Sequence, residues 1–277
     1  MDLDEISYGK DGGVAVITLD RPEQLNPISA RPGGTRDQIL CALEDAEGDP
    51  AIGCVLLRGA GKAFSAGGDL SGNARRETAY EHEAFLATAE SFHRRLREAD
   101  LPIVAAVHGY CLGAALALVA SCDIVIAAES ARFGIPEGRI GLIGAAPLVP
   151  LVGRQWAKFL VLSGEHIDAV RARDIGLVLT VEADADLFDR ALDLAARLAR
   201  LPREALLLNK RAVDAVADAS GEAAGRVAGA ARDAITLANS GRATAPDGRT
   251  FRDILDSEGM DGMKRARAAQ YETPWLQ

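Results

Sequence analysis

Residues 103–128 limit what this chain can fold into more than any other stretch. The run is apolar enough to raise the question of a membrane span, yet it contains His108, Gly109, Gly113 and Asp123. A charge in the middle of a lipid-spanning helix is costly. The stretch therefore reads as strand, turn, helix and strand inside a globular core. The rest of the composition agrees, since 48% hydrophobic and 26% charged residues are the balance of an ordinary folded protein. With 277 residues the chain buries a core without needing staples.

Residues 14–19 form a continuous β-branched and aliphatic run closed by Asp20-Arg21-Pro22, the pattern of a buried strand meeting a turn. Residues 54–58 repeat the pattern and end in Gly59-Ala60-Gly61. Between them Ile39, Leu43 and Ala46 recur at helical spacing, with Asp37, Glu44 and Asp45 outside. Phe85, Ala89, Phe92 and Leu96 make a second helical stripe, stopped by Asp100-Leu101-Pro102, and the next strand is expected at Ile103–Val107. Later segments turn helical and alanine-rich, over residues 187–198, 203–218 and 223–238, with residues 239–250 read as loop. The expected division is a spiral of short strands and helices over residues 1–200, followed by a helical region over 201–277.

Several chemistries are set aside. Cys41, Cys54, Cys111 and Cys122 fall in no CxxC pair and read as small buried thiols in a reducing compartment. The four histidines make no HExxH pattern. Gly61-Lys62 is followed by Ala63 and preceded by no phosphate-loop glycine, and Gly138, Gly141 and Gly144 do not make GxGxxG. Ala63 also spoils a GxSxG elbow at Ser65. The acidic start, Met1-Asp2-Leu3-Asp4-Glu5, shows no secretory signal, so a cytoplasmic protein is expected. A net charge of −9 argues against a nucleic-acid surface but leaves room for an anionic small molecule.

Two segments carry the chemistry. Lys62-Ala63-Phe64-Ser65-Ala66-Gly67-Gly68-Asp69-Leu70 packs small residues into a turn after a strand, where a ligand can approach the backbone. Residues 106–117 run from a strand through Gly109 and Gly113 into an apolar helix whose first N–H groups lack intrahelical acceptors. A thioester oxygen placed there is stabilised as it gains negative charge.

At these residues the chain resembles the crotonase superfamily, the enoyl-CoA hydratase/isomerase family. The resemblance runs over residues 14–271. It takes in Arg21-Pro22 through Leu25-Asn26, the 64–69 turn and the unit ending at Cys122-Asp123. It continues through Phe133-Gly134-Ile135-Pro136-Glu137, Leu162-Ser163-Gly164-Glu165 and Ser257-Glu258-Gly259-Met260. It implies an α/β fold, a crotonase-type spiral of repeated ββα units with a helical C-terminal trimerisation region. It implies a homotrimer or dimer of trimers acting on an acyl-CoA, with no cofactor beyond the coenzyme A of the substrate. It places the oxyanion hole at the Gly68 and Ala114 N–H groups, beside Gly67 and Gly113, and matches Glu137 to a catalytic glutamate. Gln24, Leu25, Ala66 and Asp69 fall along the coenzyme A path.

Three departures matter. Ala117 stands where two-glutamate hydratases carry their other acid, a pattern resembling the one-glutamate enoyl-CoA isomerases. Ala145 likewise lacks the carboxylate that dienoyl-CoA isomerases carry nearby. Pro32-Gly33-Gly34 should delay the helix that borders the acyl pocket in relatives. In the tail, where relatives use a lysine toward the coenzyme A phosphate, Lys264 and Arg267 offer the cation at a shifted position, and a solvated basic helix face is the competing reading. Two other readings stay open. One is a hydratase, hydrolase or C–C lyase using Asp69, Glu77 or Glu81. The other is a non-catalytic acyl-CoA-binding subunit.

Overall fold

The computed structural model describes residues 3–69, 76, 78–141, 148–271 and 273–276. Strands β1 (Ile6–Asp11) and β2 (Val14–Leu19) form an antiparallel hairpin. Helix α1 (Thr35–Gly48) then returns the chain to β3 (Cys54–Gly59), parallel to β2. Helix α2 (Ala79–Arg97) leads to β4 (Ile103–Val107), and β5 (Tyr110–Leu112) and α3 (Ala114–Val119) follow. Next come β6 (Ile124–Ala128), β7 (Arg132–Gly134), a 3-10 turn at Pro136–Ile140 and α4 (Val149–Ser163). The spiral closes with β8 (His166–Asp168), α5 (Ala169–Asp174), β9 (Thr180–Glu182) and α6 (Leu187–Ala199). Helices α7 (Arg203–Ala219), α8 (Glu222–Asn239) and α9 (Phe251–Ala268) complete the chain.

The main sheet has the order β1-β2-β3-β4-β6-β9, and a smaller sheet has β5-β7-β8. From β2 onward the main sheet is parallel. Both its faces are covered, which is why its strands read as unbroken apolar runs rather than alternating ones. Ile17, Val55, Leu57, Ala105 and Val107 belong to the larger core with α1, α2 and α3. Val14, Cys54, Leu56, Val104, Ala106 and Ile126 turn the other way, onto Leu187, Ala191 and Ala195 of α6.

The delayed start of α1 is observed, at Thr35, immediately after Pro32-Gly33-Gly34. Its N-cap, Gly34, has no side chain to offer, and the buried Glu5 carboxylate accepts the Thr35 N–H at 2.7 Å instead. An acid at that end also matches the helix dipole. Helix α2 opens with a capping box between Thr78 and Glu81. The C-terminal helices fold back onto the spiral of the same chain. Arg97 of α2 pairs with Asp218 and Glu222, and Arg226 reaches Glu90 at 3.4 Å.

One expectation needs correcting. Cys54 and Cys111 are buried and Cys122 half-buried, but Cys41 is exposed on the outer side of α1. It lies two residues from both Ile39 and Leu43, a spacing that puts it off the buried stripe.

Asn26 holds the turn on which the site is built. It is buried at a φ of 52°, its Oδ1 accepts from Arg21 N–H, and its Nδ2 donates to the carbonyls of Ala60, Ala63 and Phe64. Asn26→Ala strands these groups and puts a less tolerant residue in the left-handed region. The expected loss is roughly 3 kcal/mol, read as a lowered midpoint in denaturant unfolding.

Candidate active site

Residues 64–69 run between two other segments and bond to each in turn. On one side Phe64 N–H donates to His108 O at 2.7 Å, Ser65 N–H to Tyr110 O at 2.9 Å, and Leu112 N–H to Ser65 O at 3.2 Å. On the other, Ala66 N–H donates to Leu25 O, Ile28 N–H to Gly67 O, and Asp69 N–H to Ile28 O, all within 2.8–2.9 Å. Gly109 makes the crossing possible. Its φ is 54°, and a Cβ there would fall 2.2 Å from Lys62 O.

This arrangement brings Gly68 beside the start of α3. A Cβ on Gly68 would lie 3.7 Å from the Ala114 Cβ, which is ordinary contact. The Gly68 and Ala114 N–H groups donate to no acceptor among the described residues. Gly67 is tighter, with a φ of 112° and no room for a Cβ against Leu112 O at 2.8 Å. Two free N–H groups thus sit on adjacent segments, the geometry that favours an oxygen gaining negative charge.

Glu137 reaches the same place from the Pro136–Ile140 turn. A Cβ on Gly113 would overlap its Oε1, at 1.6 Å, so the carboxyl lies directly against the Gly113 backbone. Its Oε2 is buried and has no hydrogen-bond partner among the described residues. Burial pushes the Glu137 carboxyl above the usual glutamate range, while a backbone hydrogen bond at Glu137 and the nearby Arg267 charge pull it back. A carboxyl shifted upward is a stronger base in its ionised form.

Arg267 comes from α9, which packs on the Glu137 turn through Ile140, Phe251, Ile254 and Met263. Lys264 does not join it. It is exposed, 3.7 Å from Asp261. Gln24 is exposed and accepts from Arg21 Nη2 at 2.6 Å, Leu25 has a φ of 60°, and Ala66 is exposed at the lip of the turn. Asp69 is ion-paired with Arg21 at 2.9 Å.

The carboxylates of the alternative readings are otherwise engaged. Asp69 has Arg21, and Glu81 caps α2. Glu77 and Ala145 lie outside the described residues, as does Leu70. Ala117 sits half-buried on α3 with Ala114. Sequence reasoning missed a polar cluster nearby. Arg36 has Nε and Nη1 buried without partners, and His93 Nδ1 lies 3.1 Å from Ser121 Oγ. The signal was present, because Arg36 stands three residues before Ile39 on the buried stripe of α1.

A sequence model of the enoyl-CoA hydratase/isomerase family matches residues 9–233, and the chain belongs to that family of enzymes. Its α/β architecture is the crotonase fold. It is 29% identical to a solved enoyl-CoA hydratase/isomerase from Xanthobacter autotrophicus Py2, with a TM-score of 0.89 over 98% of this chain and 100% of that one. Among curated proteins it is 34% identical to a short-chain-enoyl-CoA hydratase of Clostridium acetobutylicum, covering 77% of this chain and 82% of that protein. A probable enoyl-CoA hydratase of Mycobacterium bovis is 32% identical, over 79% of this chain and 85% of that protein. Among the described residues no helix is long and apolar enough to cross a membrane.

The opposed influences on Glu137 give a test with a fixed sign. A base works in its ionised form, so the acid limb of kcat/KM against pH follows its pKa in the free enzyme. Removing the Arg267 cation removes one of the two influences that lower that pKa, the other being a backbone hydrogen bond. Arg267→Ala is expected to move the acid limb to higher pH, and an unmoved limb would show that the charge is not felt at Glu137.

Proposed function

We propose that this chain moves a proton along the acyl chain of an enoyl-CoA, shifting its double bond. The observation that supports this most directly is a single buried carboxyl, Glu137, with an unpartnered oxygen, next to two unengaged N–H groups. In this reading the thioester oxygen accepts from Gly68 and Ala114 N–H. Glu137 takes a proton from C2 of a 3-enoyl thioester, and the charge moves through the dienolate to that oxygen. The same proton returns at C4, leaving the double bond between C2 and C3. Each N–H is worth about 3–4 kcal/mol to the transition state. Ala117 can neither hold a water nor donate a proton, so addition of water by a second acid on α3 finds no support there.

The coenzyme A moiety would run past the backbone of Gln24, Leu25 and Ala66, with Lys264 as the outer cation for its phosphates. Proton transfer leaves no net redox change, so the substrate's own coenzyme A is the only group required. A cytoplasmic homotrimer or dimer of trimers fits the apolar side chains that α7 and α8 leave exposed, Leu208, Val213, Val216, Val227 and Ile235. A sedimentation mass of three or six chains is the expected outcome, and a monomer would refute the assembly.

Hydration is the second reading, favoured by the names of the relatives. The two separate by mass when 3-enoyl- and 2-enoyl-CoAs are supplied in 18O water. Isomerisation gives an unlabelled product of unchanged mass, whereas hydration adds labelled water. Glu137→Gln is expected to lower turnover by on the order of 10²–10⁴ while thioester binding persists. Unchanged turnover would remove Glu137 from the mechanism.

A further inference from the structure

Arg36 is a buried cation with no ion pair among the described residues. Its Nε and Nη1 are sealed from solvent and have no acceptor among those residues, in a protein where other half-buried arginines, such as Arg21, Arg95 and Arg97, are paired. An arginine keeps its charge even when buried, so such an orphan calls for a physical explanation. The Phe85 and Phe92 rings, with centroids at 5.9 and 5.7 Å, lie at the outer reach of a cation–π contact and satisfy no N–H. The acid beside it, Asp37, lies one residue on, and its Oδ2 accepts from Gly33 N–H at 2.7 Å. The surroundings carry both signs of charge. Arg76 stacks on Phe85 as well, 3.7 Å from the ring centroid, and burial with the charges of Arg76 and Arg252 holds His82 below its ordinary value, while Glu81 acts in the opposite direction on both His82 and Arg76.

The position of this cluster relative to the reacting centre follows from α3. Ala114, Ala117 and Ser121 stand at i, i+3 and i+7, which is one face of a helix. Beyond Val119 the chain continues in a tighter turn, with Ser121 N–H donating to Leu118 O, and Ser121 Oγ donates to Ala117 O at 2.9 Å. Ala114 and Ala117 are half-exposed, whereas Ala115, Leu116, Leu118 and Val119 are buried, so this face is the open one at Ala114 and Ala117 and closes over at the buried Ser121. At the near end is the free Ala114 N–H. About 10 Å further along, Ser121 meets His93, whose imidazole burial and the Arg36 charge push down to about 3. An acyl chain whose thioester oxygen sits at Ala114, and which follows this face, ends at His93 and Arg36.

We propose that Arg36, beside His93 and Ser121, receives a carboxylate at the far end of the acyl chain, so that the substrate class is the thioester of a dicarboxylic acid. This rests on the acyl-CoA reading above. A carboxylate is the group that supplies both the charge and the paired acceptors a planar guanidinium lacks. Ser121 spends its hydroxyl hydrogen on Ala117 O, so the donors for the carboxylate come from the Arg36 guanidinium. A hydroxyl or methyl terminus would leave the guanidinium unpaired.

The test is binding, so that it does not depend on the reaction. Unreactive adipyl-CoA and suberyl-CoA are titrated calorimetrically against hexanoyl-CoA and octanoyl-CoA, with wild-type protein, Arg36→Met and Arg36→Lys. The wild type is expected to bind the better dicarboxylic thioester on the order of 30-fold tighter than its methyl-ended counterpart. Arg36→Met should collapse that ratio and Arg36→Lys keep part of it. A merely structural role for Arg36 would weaken all four thioesters alike and leave the ratio unchanged, which overturns the inference. Equal binding of all four to the wild type also overturns it, while leaving the acyl-CoA reading in place. Binding of none would remove both.

Discussion

The chemistry of this fold depends on one stretch of backbone, residues 64–69, being held from both sides. In a parallel pairing alternate residues bond to the neighbouring strand. Ile28 is paired with Gly68, so it takes the Gly67 carbonyl and the Asp69 N–H, and the Gly68 N–H points away from it. On that other side lies the entry to α3, where the Ala114 N–H is unengaged because a first-turn donor has no acceptor within its helix. The two free donors are thus a consequence of ladder geometry. They require no particular side chain, and the contact between the Gly68 and Ala114 positions, at 3.7 Å, is an ordinary one.

Side chains decide what happens beside those donors. Gly113 has no Cβ and a φ of 54°, and this lets the Glu137 carboxyl lie against its backbone. Burial alone would favour the neutral acid, and a neutral acid is no base. Arg267, on the last helix, opposes that tendency from across the turn. The C-terminal helix therefore does more than close the core over Ile140. It carries a charge that, with a backbone hydrogen bond at Glu137, offsets part of the effect of burial, within the same chain.

Much of this was legible in the sequence, and the exceptions have identifiable causes. The strands Val14–Leu19 and Ile103–Val107 stand where unbroken apolar runs placed them, because a sheet covered on both faces leaves no ambiguity of period. Helices α7 and α8 match the alanine-rich segments to within one residue at each end. Strand β1 gave little signal, since Gly9, Lys10 and Asp11 are exposed on a sheet edge and Ile6 alone within the strand is deeply buried. The three-residue strands β5, β7 and β8 are too short for any period to show. Among site residues, Gly68, Ala114, Gly113 and Glu137 come together in space, whereas Lys264 points to solvent three residues from Arg267. At i and i+3 the two cations fall on one side of a helix, so spacing alone does not say that one is exposed and the other half-buried.

Ala117 and Arg36 bear on the same question from opposite ends. With alanine at 114 and 117, the open face of α3 offers an acyl chain little but methyl groups, and each methylene buried there is worth only about 0.8 kcal/mol. Such a surface discriminates weakly between chains of similar length. An unpaired guanidinium at the end of that face acts differently, because a chain that fails to neutralise it leaves a buried charge unsatisfied. On the readings proposed above, selectivity lies with the group that the far end of the chain presents, while the reacting carbons meet Glu137 and two backbone donors. On those readings alanine at position 117 and a cation at position 36 together shift recognition away from the site of chemistry.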